Sequence, residues 1–338
     1  MTISKRFELP KGKHSAHIKA VRLEWITLVY LVSAIFFIYL TLGASQAMKA
    51  AWLEDMLSLL PPAVFLIADR IRDKAPNEDF PYGYHRVVSI AFLVASVALT
   101  LMGTFLLFDS VMKLIAVEHP SIGVVQPLGE PVWLGWLMIP ALLWSAIPAA
   151  ILGRMKLPLA AELHDKVLHA DAEMNKADWL TAGAAIVGVL GIGIGWWWAD
   201  AVAAAVISID ILHDGIKNLR AVIADLMDQR PTSVDHSARD PLTARVENEL
   251  KSMGWVKDAK VRLREEGHVY FGEAIVVPAD ERGLVRKVEK AQDHLYSLDW
   301  KLHEIVIMPV TAIEHDEAVA AELSSRPADG EQTPSPAS

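Results

Sequence analysis

Runs of about 20 apolar residues constrain this chain more than any other feature, because a stretch of that length crosses a bilayer as a helix. The sequence contains roughly six of them. They are Trp25–Ala44, Ala50–Ala68, Val87–Phe108, Val132–Leu152, about Leu168 to Ile194, and Trp198–Ile216. The second run is the weakest, because Glu54, Asp55 and the pair Pro61–Pro62 interrupt it. The pattern predicts an all-α membrane domain of six transmembrane helices over residues 23–230.

Composition excludes several other classes of protein. Of the 338 residues, 53% are hydrophobic and only 22% are charged, and the charges gather in the last third. Cysteine is absent, which excludes disulfides and thiolate metal sites. A net charge of −9 argues against a nucleic-acid partner. We expect no cleavable signal peptide, because the first apolar run begins near Trp25, after a basic leader over residues 1–22.

Basic residues predict the orientation in the membrane, because Lys and Arg are enriched in cytoplasmic loops. They are Lys5, Arg6, Lys11, Lys13, Lys19 and Arg22 in the leader, Arg70, Arg72, Lys74 and Arg86 after the second run, and Arg154, Lys156 and Lys166 after the fourth. The opposite side is almost free of them. We therefore expect an integral protein of the cell (inner) membrane with both termini in the cytoplasm.

The last third reads as a small cytoplasmic α+β domain over residues 231–313. Its pattern predicts a helix, two strands joined by a turn at Gly267, a second helix and a third strand. The predicted bounds are Ala238–Gly254, Trp255–Arg264, His268–Val277, Glu281–Leu298 and Leu302–Met308. The remaining tail, 314–338, is rich in Ala, Glu, Ser and Pro, and we expect it to be disordered.

Two acidic residues lie inside apolar runs, namely Asp55 in AWLEDMLSLLPP and Asp178 in HADAEMNKADWLTAG. An ionisable group near the bilayer centre costs on the order of 2.5–3.5 kcal/mol, so it usually faces a partner or a cavity. Asp171, Met174 and Asn175 share one helical face with Asp178 by their i, i+3, i+4, i+7 spacing. Two acids on separate helices indicate one shared cationic ligand.

Several segments together resemble the cation diffusion facilitator family. They are HADAEMNKADWLTAG in the fifth run, Asp200 at the start of the sixth, ADLMDQRP at its end, PNEDFPYGYHR after the second run, and HEIVIMPV near the end of the soluble part. The resemblance implies six helices followed by a ferredoxin-like, metallochaperone-like domain. It also implies a homodimeric exporter of divalent metal, driven by counter-flow of protons.

The chain departs from that family's usual ligands. Met174 stands where the family has a histidine four residues before Asp178, and Leu59 stands four residues after Asp55 in place of a carboxylate. A register one residue earlier would use Glu54 and Ser58 instead, and Asn175 offers an amide oxygen. We interpret His268 and His303, in the soluble part, as ordinary surface residues.

The candidate metal ligands are therefore Asp55, Asp178, Glu54, Met174, Asn175 and Ser58. Oxygen ligands of this kind suit Mn²⁺, Fe²⁺ or Mg²⁺, but the sequence does not distinguish Zn, Mn, Fe, Co or Cd. The hypothesis is a membrane transporter of divalent cations and protons that contacts lipid, without a cofactor or enzymatic activity. Alternatives are a non-transporting metal sensor or scaffold, and an intramembrane enzyme with paired acids.

Overall fold

Seven long helices dominate the computed structural model, which describes residues 9–72, 74–126 and 130–313. After a 3₁₀ turn at Lys11–Lys13, the helices are α1 (His14–Thr41), α2 (Gln46–Leu57), α3 (Leu60–Arg72), α4 (Val87–Ile115), α5 (Gly135–Leu163), α6 (Lys166–Gly193) and α7 (Ala199–Leu226). The start of the predicted leader and the whole predicted tail, 314–338, lie outside the described residues.

Five helical stretches of the described residues are long and apolar enough to cross a membrane. They are Lys11–Thr41, Gln46–Arg72, Val87–Ile115, Gly135–Leu163 and Lys166–Gly193. They correspond to the first five predicted spans. Helix α7 is 28 residues long, but Asp200, Asp210 and Asp214 lie in the stretch predicted to cross. The sixth span stays a prediction.

The second stretch is broken into two helices beside its acidic residues. Helix α2 ends at Leu57 and α3 begins at Leu60. Pro61 and Pro62 lie in the first turn of α3, where a helix has no use for the backbone N–H that proline lacks. The interruption therefore falls at Ser58 and Leu59, directly after Asp55.

Helix α5 differs from its prediction at both ends. It begins at Gly135, because Val132–Trp133 form a short strand, β2, antiparallel to β1 (Val124–Val125). It then continues to Leu163, past the predicted end at Leu152. Lys156, interpreted from the sequence as a loop residue, therefore lies within a helix, where its side chain is fully buried.

Small residues allow the membrane helices to approach one another closely. Helix α4 packs most extensively against α7, and α5 against α6. A Cβ added at Gly153 of α5 would lie 2.8 Å from the backbone nitrogen of Lys176 and 3.1 Å from the Cβ of Asn175. A side chain at position 153 would therefore push α5 away from the part of α6 that carries the candidate ligands.

The predicted soluble elements are all present with slightly shifted ends. They are α8 (Leu242–Ser252), β3 (Val256–Glu266), β4 (Val269–Pro278), α9 (Leu284–Leu298) and β5 (Leu302–Pro309), and the sheet has the order β3-β4-β5. Gly267 makes the turn between the first two strands with a φ of 67°, a conformation that favours glycine.

The described chain divides into two compact units. The first contains the residues up to Asp240 together with Arg264–Phe271 and Trp300–His303. The second contains Pro241–Leu263, Gly272–Asp299 and the residues from Glu304 onward. All the candidate ligands lie in the first unit.

Candidate metal site

Asp55 lies near the end of α2 and is held by a hydroxyl from another helix. Its side chain is only 6% exposed. Ser145 of α5 lies opposite, with its Oγ 2.9 Å from Oδ1 and 2.7 Å from Oδ2 of Asp55. A hydroxyl has a single proton to donate, so it bonds one oxygen at a time while its contact with both fixes the carboxylate between α2 and α5.

Asp178 of α6 is buried as deeply but is less satisfied. It is 8% exposed, and its Oδ2 has no hydrogen-bond partner among the described residues. It lies close enough to Asp55 for the two carboxylates to interact electrostatically. A buried carboxylate oxygen without a donor is costly, and a cation between the two acids would relieve that cost.

Glu54 contributes a third carboxylate from α2. Thr181 of α6 donates a hydrogen bond to its Oε1 at 3.1 Å, while its Oε2 is buried without a partner in the described part of the chain. Glu54 interacts electrostatically with both Asp178 and Asp55. The structure therefore brings both adjacent acids, which the sequence treated as alternatives, into the neighbourhood of Asp178.

The remaining candidates surround these acids unequally. Asn175 is buried, its Nδ2 donates to Asp171 at 3.0 Å, and its Oδ1 has no partner among the described residues. Met174 is half-buried and packs against the apolar core of the membrane helices. Ser58 caps the end of α2, with its N–H bonded to the carbonyl of Glu54 at 2.8 Å.

The three acids do not form a compact cluster. Within the described ranges, no three His, Cys, Asp or Glu side chains come together closely enough to hold a metal ion. The carboxylates of Glu54, Asp55 and Asp178 are therefore neighbours that do not yet converge on one point.

Sequence reasoning missed the residues that position these acids. Ser145 and Thr181 are ordinary small polar residues in apolar helices. The sequence shows only that each offers a hydroxyl group within an apolar run. Asp200 does not belong to this group of acids. It accepts hydrogen bonds from Ser45 Oγ at 2.6 Å and from the N–H of Ala47 at 3.2 Å. It therefore caps the start of α2 from the start of α7.

The histidines near the soluble part are not ordinary surface residues. His268 is buried, with Nε2 3.4 Å from Oδ2 of Asp165, and burial lowers its pKa. His303 is half-buried, and its ring centroid lies 5.1 Å from that of His85. Burial lowers the pKa of His85 to about 3. The surface interpretation of His268 is therefore wrong, because this residue of the β3–β4 turn packs against Asp165 and the backbone carbonyl of His164.

Comparison with known proteins gives one family match and several relatives. The family model for the cation efflux transmembrane domain matches residues 23–227. Manganese efflux system protein MneS of Bacillus subtilis is 28% identical over 206 residues, which is 60% of this chain and 63% of that protein. Magnetosome protein MamB of Magnetospirillum gryphiswaldense is 25% identical over 194 residues, 57% of this chain and 60% of MamB.

A third relative aligns over more of the chain. The cadmium, cobalt and zinc/H(+)-K(+) antiporter of Bacillus subtilis is 22% identical over 273 residues, 79% of this chain and 80% of the antiporter. The chain thus spans less than two thirds of the length of MneS and MamB, and about four fifths of the antiporter.

Proposed function

This chain belongs to the cation efflux family, and we propose that it moves divalent metal cations across a membrane through a site built on Asp55 and Asp178. The family match over residues 23–227 confirms the resemblance to the cation diffusion facilitators. MneS is named for manganese efflux and the antiporter for cadmium, cobalt and zinc. Proteins of this family are transporters, which fits the expectation that the chain is not an enzyme.

The observation that carries the proposal is the set of unpartnered carboxylate oxygens. Oδ2 of Asp178 and Oε2 of Glu54 are buried without hydrogen-bond donors in the described residues, and Ser145 holds Asp55 beside them. Two carboxylates would neutralise a dication at low dielectric. A purely structural cluster would instead supply donors for these oxygens.

The chemistry of the ligands bears on the choice of ion. Carboxylate and amide oxygens suit Mn²⁺, and no imidazole is available at position 174 to favour Zn²⁺. We therefore propose Mn²⁺ or Fe²⁺ as the best-fitting cargo. Export would be coupled to protons by the same carboxylates, because protonation of Asp55 and Asp178 would release the ion on the far side. Alternating access would rock α2 against α6 around this site.

The topology proposed for this function has six spans, with α7 as the sixth. A helix of 28 residues is about 42 Å long, enough to cross the hydrocarbon core. The segments 1–22, 231–313 and 314–338 would lie in the cytoplasm of a homodimer in the cell (inner) membrane. A reporter fused after Ile313 should give its cytoplasmic signal, and a periplasmic signal would contradict this arrangement.

The test is the removal of each acid in turn. Asp178→Asn keeps size and hydrogen bonding but removes the charge that balances a dication, so Mn²⁺ uptake into inverted vesicles should be abolished. Asp55→Asn should behave alike, and the double variant should be hardly worse than either, because both act on one site. Asp109→Asn is the matched control, because this acid of α4 is already paired with Lys113 at 2.8 Å.

Three outcomes would count against the proposal. Wild-type uptake by Asp178→Asn would exclude the site. Losses that add strictly in the double variant would place the two acids in different sites. Uptake that is absent in the folded wild-type protein would favour a non-transporting metal sensor, the rival suggested by Met174 and Leu59 in place of the family's ligands.

A further inference from the structure

A second buried ionic cluster lies on α1, α5 and α6, outside the residues assigned to the metal site. It consists of Glu24, Lys156 and Asp171, which are 0%, 0% and 2% exposed. Lys156 Nζ donates to Glu24 Oε2 at 2.8 Å and also to Asp171 Oδ2. The close approach of α5 and α6 at Gly153, one helical turn before Lys156, makes this contact possible.

The cluster has more acceptors than its one cation satisfies. Two carboxylates and one ammonium leave a formal charge of −1 in a fully buried position. Glu24 Oε1 and Asn175 Oδ1 are both buried without a hydrogen-bond partner in the described part of the chain. Buried charge is normally paired and buried oxygen is normally bonded. The cluster therefore has an excess negative charge that a cation would balance and oxygen atoms that a cation would bind.

The cluster is continuous with the metal site along one face of α6. Asp171, Asn175 and Asp178 follow each other at helical spacing, and Asn175 Nδ2 donates to Asp171 at 3.0 Å. Asp171 and Asp178 are about 10 Å apart along the helix axis. Buried oxygens without donors thus extend from Glu24 through Asn175 to Asp178.

We propose that Glu24 and Asp171, with the amide oxygen of Asn175 shared with the site at Asp178, form a second cation site on the transport path, in which the ammonium of Lys156 is a tethered cation that the transported dication displaces. A lysine is suited to this role, because its compact charge sits on a flexible four-carbon stem. The dication neutralises both carboxylates and bonds the oxygens that Lys156 leaves unsatisfied. This inference rests on the proposed transport function and adds to it a waiting site next to Asp178.

Glu24→Gln separates this role from a structural one. The substitution leaves Lys156 and Asp171 as a neutral pair, so a cluster that only holds helices together should keep its transport rate and melting temperature. A cation site loses one of its two carboxylates, and Mn²⁺ uptake should fall by roughly tenfold or more at an unchanged melting temperature. Glu265→Gln is the matched control, because Glu265 likewise shares a buried lysine, Lys166 at 3.0 Å, with a second carboxylate.

Lys156→Leu tests the same site by binding alone. With the ammonium removed and no new ligand atom introduced, the two carboxylates should take up a free ion. The count of Mn²⁺ per protomer, measured by electron paramagnetic resonance on the purified full chain, should rise by one. The double variant Lys156→Leu/Glu24→Gln should return to the wild-type count. Lys113→Leu should gain no ion, because Lys113 pairs with a single carboxylate, Asp109, which Lys49 still approaches at 3.5 Å.

Each result decides the proposal separately from the transport function. Full uptake by Glu24→Gln, an unchanged ion count in folded Lys156→Leu, or an equal gain in Lys113→Leu would overturn the second site. Loss of uptake in Asp178→Asn would leave the transport function standing in any of these cases. If the wild-type chain moves no ion, the transport function fails and the binding measurement still decides whether the cluster is a cation site.

Discussion

Ser145→Ala should weaken the metal site without touching a carboxylate. The hydroxyl of Ser145 contacts both oxygens of Asp55, at 2.9 and 2.7 Å, from a different helix. Alanine removes this contact and leaves a side chain of almost the same size. Asp55 would then lose the group that fixes its position and would turn away from Asp178 in the absence of metal.

The size of the effect follows from the kind of hydrogen bond. A bond to a charged group contributes about 1.5–3 kcal/mol. Part of that free energy should be lost from metal binding. Removing a residue that hydrogen-bonds and orients a metal ligand typically lowers metal affinity by about 10–100-fold. We expect the KM for Mn²⁺ to rise by about tenfold, with a smaller change in the maximal rate, since both acids remain in place.

The assay is Mn²⁺ uptake into proteoliposomes at a series of ion concentrations. Ser208→Ala is the matched control, because Ser208 is equally buried but donates only to the backbone carbonyl of Ala204 in its own helix. Its KM should stay at the wild-type value. A wild-type KM in Ser145→Ala would refute the idea that Ser145 positions a metal ligand, and an equal rise in both variants would reduce it to a packing effect.

Three further predictions concern selectivity, stability and pH. Met174→His should shift competition between Mn²⁺ and Zn²⁺ toward Zn²⁺, because imidazole suits zinc; an unchanged ion profile would place residue 174 outside the coordination sphere. Ser45 Oγ accepts a hydrogen bond from the N–H of Met48 at the start of α2 and donates one to Asp200. Ser45→Ala removes both bonds, so thermal unfolding should show a loss of about 0.5–2 kcal/mol, and an unaltered melting temperature would contradict this capping role. Burial lowers the pKa of His85 to about 3, below its unfolded value of about 6.5, so the stability it contributes is present above pH 6.5 and is lost as the pH falls. Between pH 6.5 and 5 that loss is about 1.6 kcal/mol, and His85→Gln should melt with a weaker pH dependence than the wild-type chain; identical pH profiles would speak against it.

The membrane helices were predictable because a bilayer imposes one length and one composition on them. The ends were not. Helix α1 begins at His14 and α5 runs on to Leu163, well beyond the apolar runs, because a helix continues through polar residues wherever neighbouring helices satisfy them. Lys156 is the clearest case: its sequence neighbourhood suggested a loop, but Glu24 and Asp171, on two other helices, neutralise it.

The burial of Asp55 and Asp178 within the helices was predictable for the opposite reason, and their role as metal ligands stays a prediction. Asp55 and Asp178 are acidic residues in apolar surroundings, and such an exception can be seen in the sequence alone. The residues that position these acids cannot be recognised in this way. Ser145 and Thr181 are compatible with any apolar helix, and their roles depend on hydrogen-bond partners on another helix. The same applies to Asp200, which a family resemblance marked and which the structure assigns to the cap of α2.

The unpartnered oxygens of the buried acids fit a site that exchanges its ion better than one that holds a metal permanently. A site that holds a metal as a structural part brings its ligands together and bonds each of them a second time from outside. Here Asp55 has its supporting hydroxyl, but Asp178 Oδ2 and Glu54 Oε2 have no donors within the described residues. These oxygens lie on α2 and α6, and α2 is shortened by the break at Ser58 and Leu59. A short helix that carries two acids can shift relative to α6 at lower cost than an unbroken one, so in the proposed transport cycle the same pair of helices would enclose and release the ion.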